Sequence, residues 1–193
     1  YDFEIQKDTE LVFTYLPLYI QFFYYSVPSE GGKADPITLY IKAAEYSEEG
    51  VRSTAQHYSG YIFSGWYTDE NCLNPVDGTT ATAVGATITP KKPTFAQGET
   101  EFTVYYYAKF IPTSLTLDNS DDSTYHDDEQ GFIYRIKGSD SATTKVDMRV
   151  TVIAGGEVTI THLPVGQYSI TVENDWSWRY GLQLSGLWRG TEA

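Results

Sequence analysis

The side chains with the most chemical potential in this chain are one thiol, three imidazoles, a run of carboxylates and a set of aromatic rings. Cys72 sits in Asp69-Glu70-Asn71-Cys72-Leu73. Acidic neighbours raise a thiol's pKa, whereas a nucleophilic thiolate needs cationic ones, so Cys72 reads as a passive residue. His57, His126 and His162 show no metal-ligand spacing. Asp118, Asp121, Asp122, Asp127, Asp128 and Glu129 could offer oxygens to calcium. They lack the fixed spacing and turn glycine of a calcium loop, and a solvated charge run is the simpler reading. There is no glycine-rich phosphate loop after a strand, no Gly-x-Ser-x-Gly nucleophile turn and no His–Glu zinc motif. The expectation is a protein with no catalytic residues, no cofactor and no metal, hence not an enzyme.

The aromatics are different. They make up 16% of the chain, seventeen of them tyrosine, and Tyr and Phe are strand formers that suit a half-buried pleated face. Trp66, Tyr67, Trp176, Trp178 and Tyr180 are the candidate ligand-binding residues, because flat rings can stack on sugars. Trp176 and Trp178 are two apart and share a face if Asp175 to Tyr180 is a strand. Core packing competes for the same residues, most clearly for Trp66. Gly65 permits close backbone approach there, and the flanking strand is apolar at alternate positions.

Bulk properties narrow the partners. The net charge is -13, from 26 acids against 13 bases, with no basic patch for nucleic acid. Such acidity repels anionic polymers and membranes. The most apolar run, Leu11 to Val27, holds Thr14, Pro17, Gln21 and several tyrosines. It is too short and too polar to span a bilayer, so no membrane insertion is expected. With a single cysteine no internal disulfide can form, and packing or another crosslink has to hold the fold. The start carries no signal-type segment and the end no sorting signal, so the chain reads as an excised or mature piece.

The elements that must position these residues read as β nearly throughout. Tyr19 to Tyr25 is a strand, Ser29 to Asp35 a glycine-rich turn, and Ile37 to Ile41 the hairpin partner. Phe102, Val104, Tyr106 and Ala108 alternate with Thr103, Tyr105, Tyr107 and Lys109, which sets two faces on one strand. Ala43 to His57 is the one stretch that could hold a helix, with Gly50 against it, and Asp77 to Gly98 reads as loop with at most one strand. Ile111-Pro112-Thr113 marks a boundary. Beyond it, strands are expected at 114–117, 132–136, 147–152, 157–161 and 167–172. Short strands at this spacing indicate a sandwich. There is also an internal echo: Asp8-Thr9-Glu10-Leu11-Val12-Phe13 matches Glu99-Thr100-Glu101-Phe102-Thr103-Val104 in type.

Two resemblances follow. Gly60-Tyr61-Ile62-Phe63-Ser64-Gly65-Trp66-Tyr67-Thr68-Asp69, closing at Tyr107-Ala108-Lys109-Phe110, resembles a Listeria–Bacteroides (internalin B-type) repeat over residues 18–111. The resemblance implies a β-grasp-like module used in tandem on bacterial surfaces. Residues 1–17 then read in two ways, as the closing half of a preceding repeat or as an added strand of the first domain.

The strings Leu163-Pro164-Val165-Gly166-Gln167-Tyr168 and Asp175-Trp176-Ser177-Trp178-Arg179-Tyr180, with Gln130 to Gly138 before them, resemble a Cna B-type pilin or adhesin domain. That family often carries a Lys–Asn isopeptide bond promoted by a Glu. Here Asp118-Asn119 stands at the lysine's place, Val172 at the glutamate's, and no last strand for the partner Asn can be read. Lys137 points away from the Phe132, Tyr134 and Ile136 face, and Lys145 lies in a polar turn. No crosslink is expected.

The expected architecture is therefore mostly β: a β-grasp-like module, residues 1–112, followed by a Cna B-like (Ig-like) β sandwich, residues 113–193, lacking its last strand. The expected role is a non-catalytic, extracellular segment attached to a Gram-positive-type cell wall or cell surface. It would serve in adhesion, display or as a stalk, beside neighbouring repeat modules and facing a host or matrix protein or a glycan. The rival reading is a carbohydrate-binding module using exposed aromatics. Aromatics side by side on one exposed face would favour the sugar binder; a buried aromatic set under a polar surface would favour the spacer.

Overall fold

The computed structural model describes residues 16–119, 131–139 and 145–173. The chain is mostly β, in several sheets, and no α-helix occurs among the described residues. It divides into two compact units. The described residues up to Tyr58, with Ile62–Ile111, form the first; Ser59–Tyr61 and the described residues from Pro112 form the second. No helix is long and apolar enough to cross a membrane among the described residues.

The first unit contains two four-stranded sheets. One runs β3-β1-β8-β5, from β1 (Tyr19–Val27), β3 (Thr38–Lys42), β5 (Tyr61–Tyr67) and β8 (Glu101–Pro112). The other runs β2-β4-β7-β6, from β2 (Gly32–Asp35), β4 (Ser53–His57), β6 (Ala81–Val84) and β7 (Thr87–Pro90). The centre of the first sheet is the parallel pair β1 and β8, in register from Tyr19↔Glu101 to Val27↔Lys109. A parallel pair needs a long crossover, and here the crossover contains the whole second sheet.

Period-two alternation decides what is buried. Ile20, Phe22 and Tyr24 of β1 and Tyr106, Ala108 and Phe110 of β8 face inward. Opposite them the second sheet offers Ala34, Ser53, Ala55, Ala81 and Ile88, mostly small side chains that leave room for the rings. The polar tips of the buried aromatics are all spent on backbone carbonyls. Tyr24 donates to Val51 O at 2.5 Å, Trp66 Nε1 to Ala86 O at 2.9 Å, and Tyr106 to Thr80 O at 3.0 Å. Ser53, the buried polar side chain, donates to Pro36 O at 2.8 Å. Each bond removes the penalty of an unpaired buried hydroxyl, indole or carbonyl, about 1–3 kcal/mol.

The second unit pairs the three-stranded sheet β11-β10-β13 with the two-stranded sheet β12-β9. Its strands are β9 (Ser114–Asp118), β10 (Gly131–Ser139), β11 (Lys145–Ile153), β12 (Glu157–Thr161) and β13 (Gln167–Val172). Leu117, Ile136 and Val152 form the buried centre, and Leu115, Val158, Ile160 and Ile170 close round it from both sheets, which makes a small sandwich. The tyrosine of the Leu-Pro-Val-Gly-Gln-Tyr string has a clear job. Tyr168 donates its hydroxyl to Pro164 O, four residues back, and its ring lies over Gly138, the residue opposite it on β10. That fixes the corner leading into β13, as tyrosine corners do in Ig-type sandwiches.

Three expectations require correction. Ala43 to His57 is not a helix: it holds a single 3-10 turn, Ala43–Glu45, followed by β4. The Ala and Glu content suits a helix, but pairing of β4 with both β2 and β7 overrides that preference. Asp77 to Gly98 contains two strands, β6 and β7, joined at Gly85, whose φ of 56° suits glycine. The supposed turn Ser29 to Asp35 contains β2, so β1 and β3 pair across a connection that visits the other sheet.

A candidate aromatic binding face

If Ile20, Phe22 and Tyr24 face the core, then Tyr19, Gln21, Phe23 and Tyr25 must face outward, and so must Tyr105 and Tyr107 of β8. The parallel register brings the two sets together by pairing Phe23 with Tyr105 and Tyr25 with Tyr107. The outcome is a continuous slab of rings. Phe23 and Tyr105 stack at 5.3 Å between centroids, Phe23 and Tyr25 at 6.0 Å, Tyr25 and Tyr105 at 6.3 Å, and Tyr25 and Tyr107 lie 5.6 Å apart. Towards β3, Tyr19 and Tyr40 stack at 5.0 Å with planes 7° apart. Towards β5, the Lys109 ammonium lies 5.3 Å from the Tyr67 ring centre.

These rings are available to a ligand. Tyr40 is 56% exposed, Tyr105 45% and Tyr25 39%. Mutual stacking holds them flat at little entropic cost, since a tyrosine ring has only two side-chain torsions to fix. Partial burial pushes up the pKa of Tyr107, helped by Glu70, and that of Tyr40, helped by Glu101. The face is thus an apolar platform with a polar rim.

Among the residues expected to bind, Trp66 is 3% exposed. It meets Tyr24 edge-on at 6.1 Å and Phe63 at 6.0 Å, with its N–H spent on Ala86. A buried indole has no free face for a sugar, so Trp66 belongs to the core. Tyr67 lies at the margin of the platform, partly covered by Lys109. Trp176, Trp178 and Tyr180 lie outside the described residues, as do residues 1–15, His126 and most of the acidic run.

The remaining sequence candidates have structural explanations. Asp69 accepts N–H groups from Asn71, Leu73 and Asn74 at 2.7–3.2 Å, tying down the loop after β5. Burial works against its charge, but those bonds outweigh it and hold the carboxyl below the usual range. Cys72 is buried in that loop, and burial pushes its thiol up, with Lys109 opposing and Asp69 adding. Asn119 receives the Tyr134 hydroxyl at 3.1 Å and donates to Ile153 O at 3.2 Å. Lys137 is exposed. Glu173 bridges Arg149 at 2.5 Å and Arg135 at 3.5 Å on the outer face of the β10–β11 pair. No group of His, Cys, Asp and Glu that could hold a metal occurs among the described residues.

Sequence reasoning missed Phe23, Tyr25, Tyr40 and Tyr105 as site residues. Alternation within each strand was visible; the adjacency of β1 and β8, which makes a platform of two separate aromatic rows, was not. No family model, curated protein or solved structure matches this chain.

Proposed function

We propose that this chain is a non-catalytic binding segment of a bacterial surface protein, and that the outer face of the β3-β1-β8-β5 sheet contacts a glycan. The observation that carries the reading is the contiguous row of rings Phe23, Tyr25, Tyr105 and Tyr107 on the outer face, in which Tyr25 and Tyr105 are exposed and Phe23 and Tyr107 half-buried. A spacer has no need of it, because exposed rings stacked on solvent gain less than buried ones and invite association. Tyrosine suits a ligand that is itself two-faced, with C–H groups on the flat side and hydroxyls at the edge. The surface-protein context rests on the two sequence resemblances, to a β-grasp-like repeat and to a Cna B-like sandwich.

The test is a glycan array probed with the protein and with a Tyr25→Ser/Tyr105→Ser variant. Both residues are more than a third exposed, so the fold should tolerate the change. The reading expects glycan signals that the variant loses by at least tenfold at an unchanged melting temperature. Binding that survives the variant, or no glycan binding at all, defeats it.

A further inference from the structure

The inner side of β8 opens onto a second feature that the outer platform does not use. A cavity of about 300 Å³ lies over Phe102, Val104 and Tyr106, and its walls come from Thr79–Thr80 and Lys91–Thr94. Residues of even number on β8 face away from Tyr105 and Tyr107, so the cavity and the aromatic platform lie on opposite faces of one strand.

Three properties define what it would accept. Its floor is apolar and braced: Phe95 packs edge-on against Phe102 at 5.9 Å, and Tyr106 is anchored to Thr80 O at 3.0 Å. Its walls carry the hydroxyls of Thr79, Thr80 and Thr94. Its rim carries Lys91 and Lys92, the one place in the sequence where two basic residues are adjacent. The Lys91 ammonium donates to Gly78 O, and both lysines are exposed. Asp77 is the acid beside them. The Thr79 hydroxyl and N–H hold its carboxylate, and Lys91 also favours its charge. In a chain of net charge -13 this is a local reversal of sign. Asp77 offsets one of the two ammonium charges, so Asp77, Lys91 and Lys92 together leave one positive charge in excess, while more distant exposed acids are screened beyond about 8 Å at physiological ionic strength.

We propose that this cavity binds an acidic sugar unit, a single pyranose ring bearing a carboxylate. The carboxylate would meet Lys91 and Lys92, the hydroxyls the threonines, and the flat C–H face Phe102 and Tyr106. The volume falls at the small end of ligand pockets and suits one ring rather than a peptide segment. The threonine lining matches several hydroxyls better than a peptide terminus.

An NMR titration of the full chain with glucuronate, with glucose as the neutral control, tests the proposal. Glucuronate should shift the amides of residues 79–80, 91–94 and 102–106, and glucose should not. Lys91→Gln/Lys92→Gln should weaken the glucuronate affinity at least tenfold, and Lys92→Gln alone, which spares the Lys91–Gly78 bond, should weaken it several-fold with the spectrum otherwise unchanged. Glucuronate that leaves these amides unmoved, glucose that moves them equally, or shifts that persist in both variants would overturn it. Shifts at Tyr25 and Tyr105 report the outer platform separately, so the two readings can fail independently.

Discussion

Truncating Trp66 is the sharpest probe of how the first unit is held together. Trp66→Ala removes a ring that is 3% exposed and packs on Tyr24 and Phe63 at about 6 Å. A large-to-small change at such a site costs about 3–5 kcal/mol. It also strips Ala86 O of the indole N–H, now at 2.9 Å, which adds about 1 kcal/mol where the carbonyl stays dry. Domain stabilities are about 5–15 kcal/mol, so the loss consumes a large share of the total. At about 4–8 °C per kcal/mol for a domain of this size, the melting temperature should fall by more than about 12 °C. Trp66→Phe keeps a ring but loses the donor and should cost about 1–2 kcal/mol. Urea titration followed by circular dichroism measures both. A Trp66→Ala protein with an unchanged midpoint but no glycan binding would refute the core assignment and return the indole to the ligand.

Other outcomes follow from the same contacts. A Cβ at Gly138 would lie 2.5 Å from Tyr168 Cδ1, and that ring is tethered through Pro164, so Gly138→Ala should destabilise the second unit by about 1–3 kcal/mol in thermal melts. Burial raises the phenol of Tyr106 to about 12, against the bond to Thr80, and raises that of Tyr24 further, with Tyr106 adding to the burial. Because the folded values lie above the ordinary value of 10.0, the stabilisation is complete below pH 10 and is lost as pH rises through about 12. Ultraviolet titration should show these two tyrosines ionising only with unfolding. Glu173 is held below the usual carboxyl range chiefly by its bond to Arg149, and Asp147 by its bond to Arg135. Arg149→Ala should therefore raise the Glu173 midpoint in a carbon-detected NMR titration, and an unmoved midpoint would contradict the pairing.

Local alternation made much of this fold legible in the sequence. Phe102, Val104, Tyr106 and Ala108 sort to the core side of β8, as their spacing indicates, and the strands of the second unit fall where turn residues bracket them. What was hidden depends on long-range pairing. The β6–β7 hairpin is only four residues a side, its strand formers Thr, Val and Ile diluted by Ala81, Ala83 and Pro90, and Gly85 is its main local cue. The strand at Ser53–His57 is stabilised by neighbours on both sides rather than by its own composition. The aromatic platform was hidden for the same reason: Phe23 and Tyr105 are 82 positions apart and become a pair only in the parallel register.

That register also sets how the first unit would respond to tension. β1 is the first described strand of the unit and β8 its last, and they run parallel through nine register pairs. A pull that separates the two ends of the unit draws β1 by its start and β8 by its finish, at opposite ends of one ladder. The hydrogen bonds are then loaded together in shear instead of opening one at a time, as an antiparallel hairpin does when its ends are drawn apart. Rupture under load is governed by the unfolding rate, so the force resisted can greatly exceed what the modest equilibrium stability suggests. A ligand held on the outer platform would bridge the same two strands, and single-molecule stretching should find the loaded unit harder to break than the bare one.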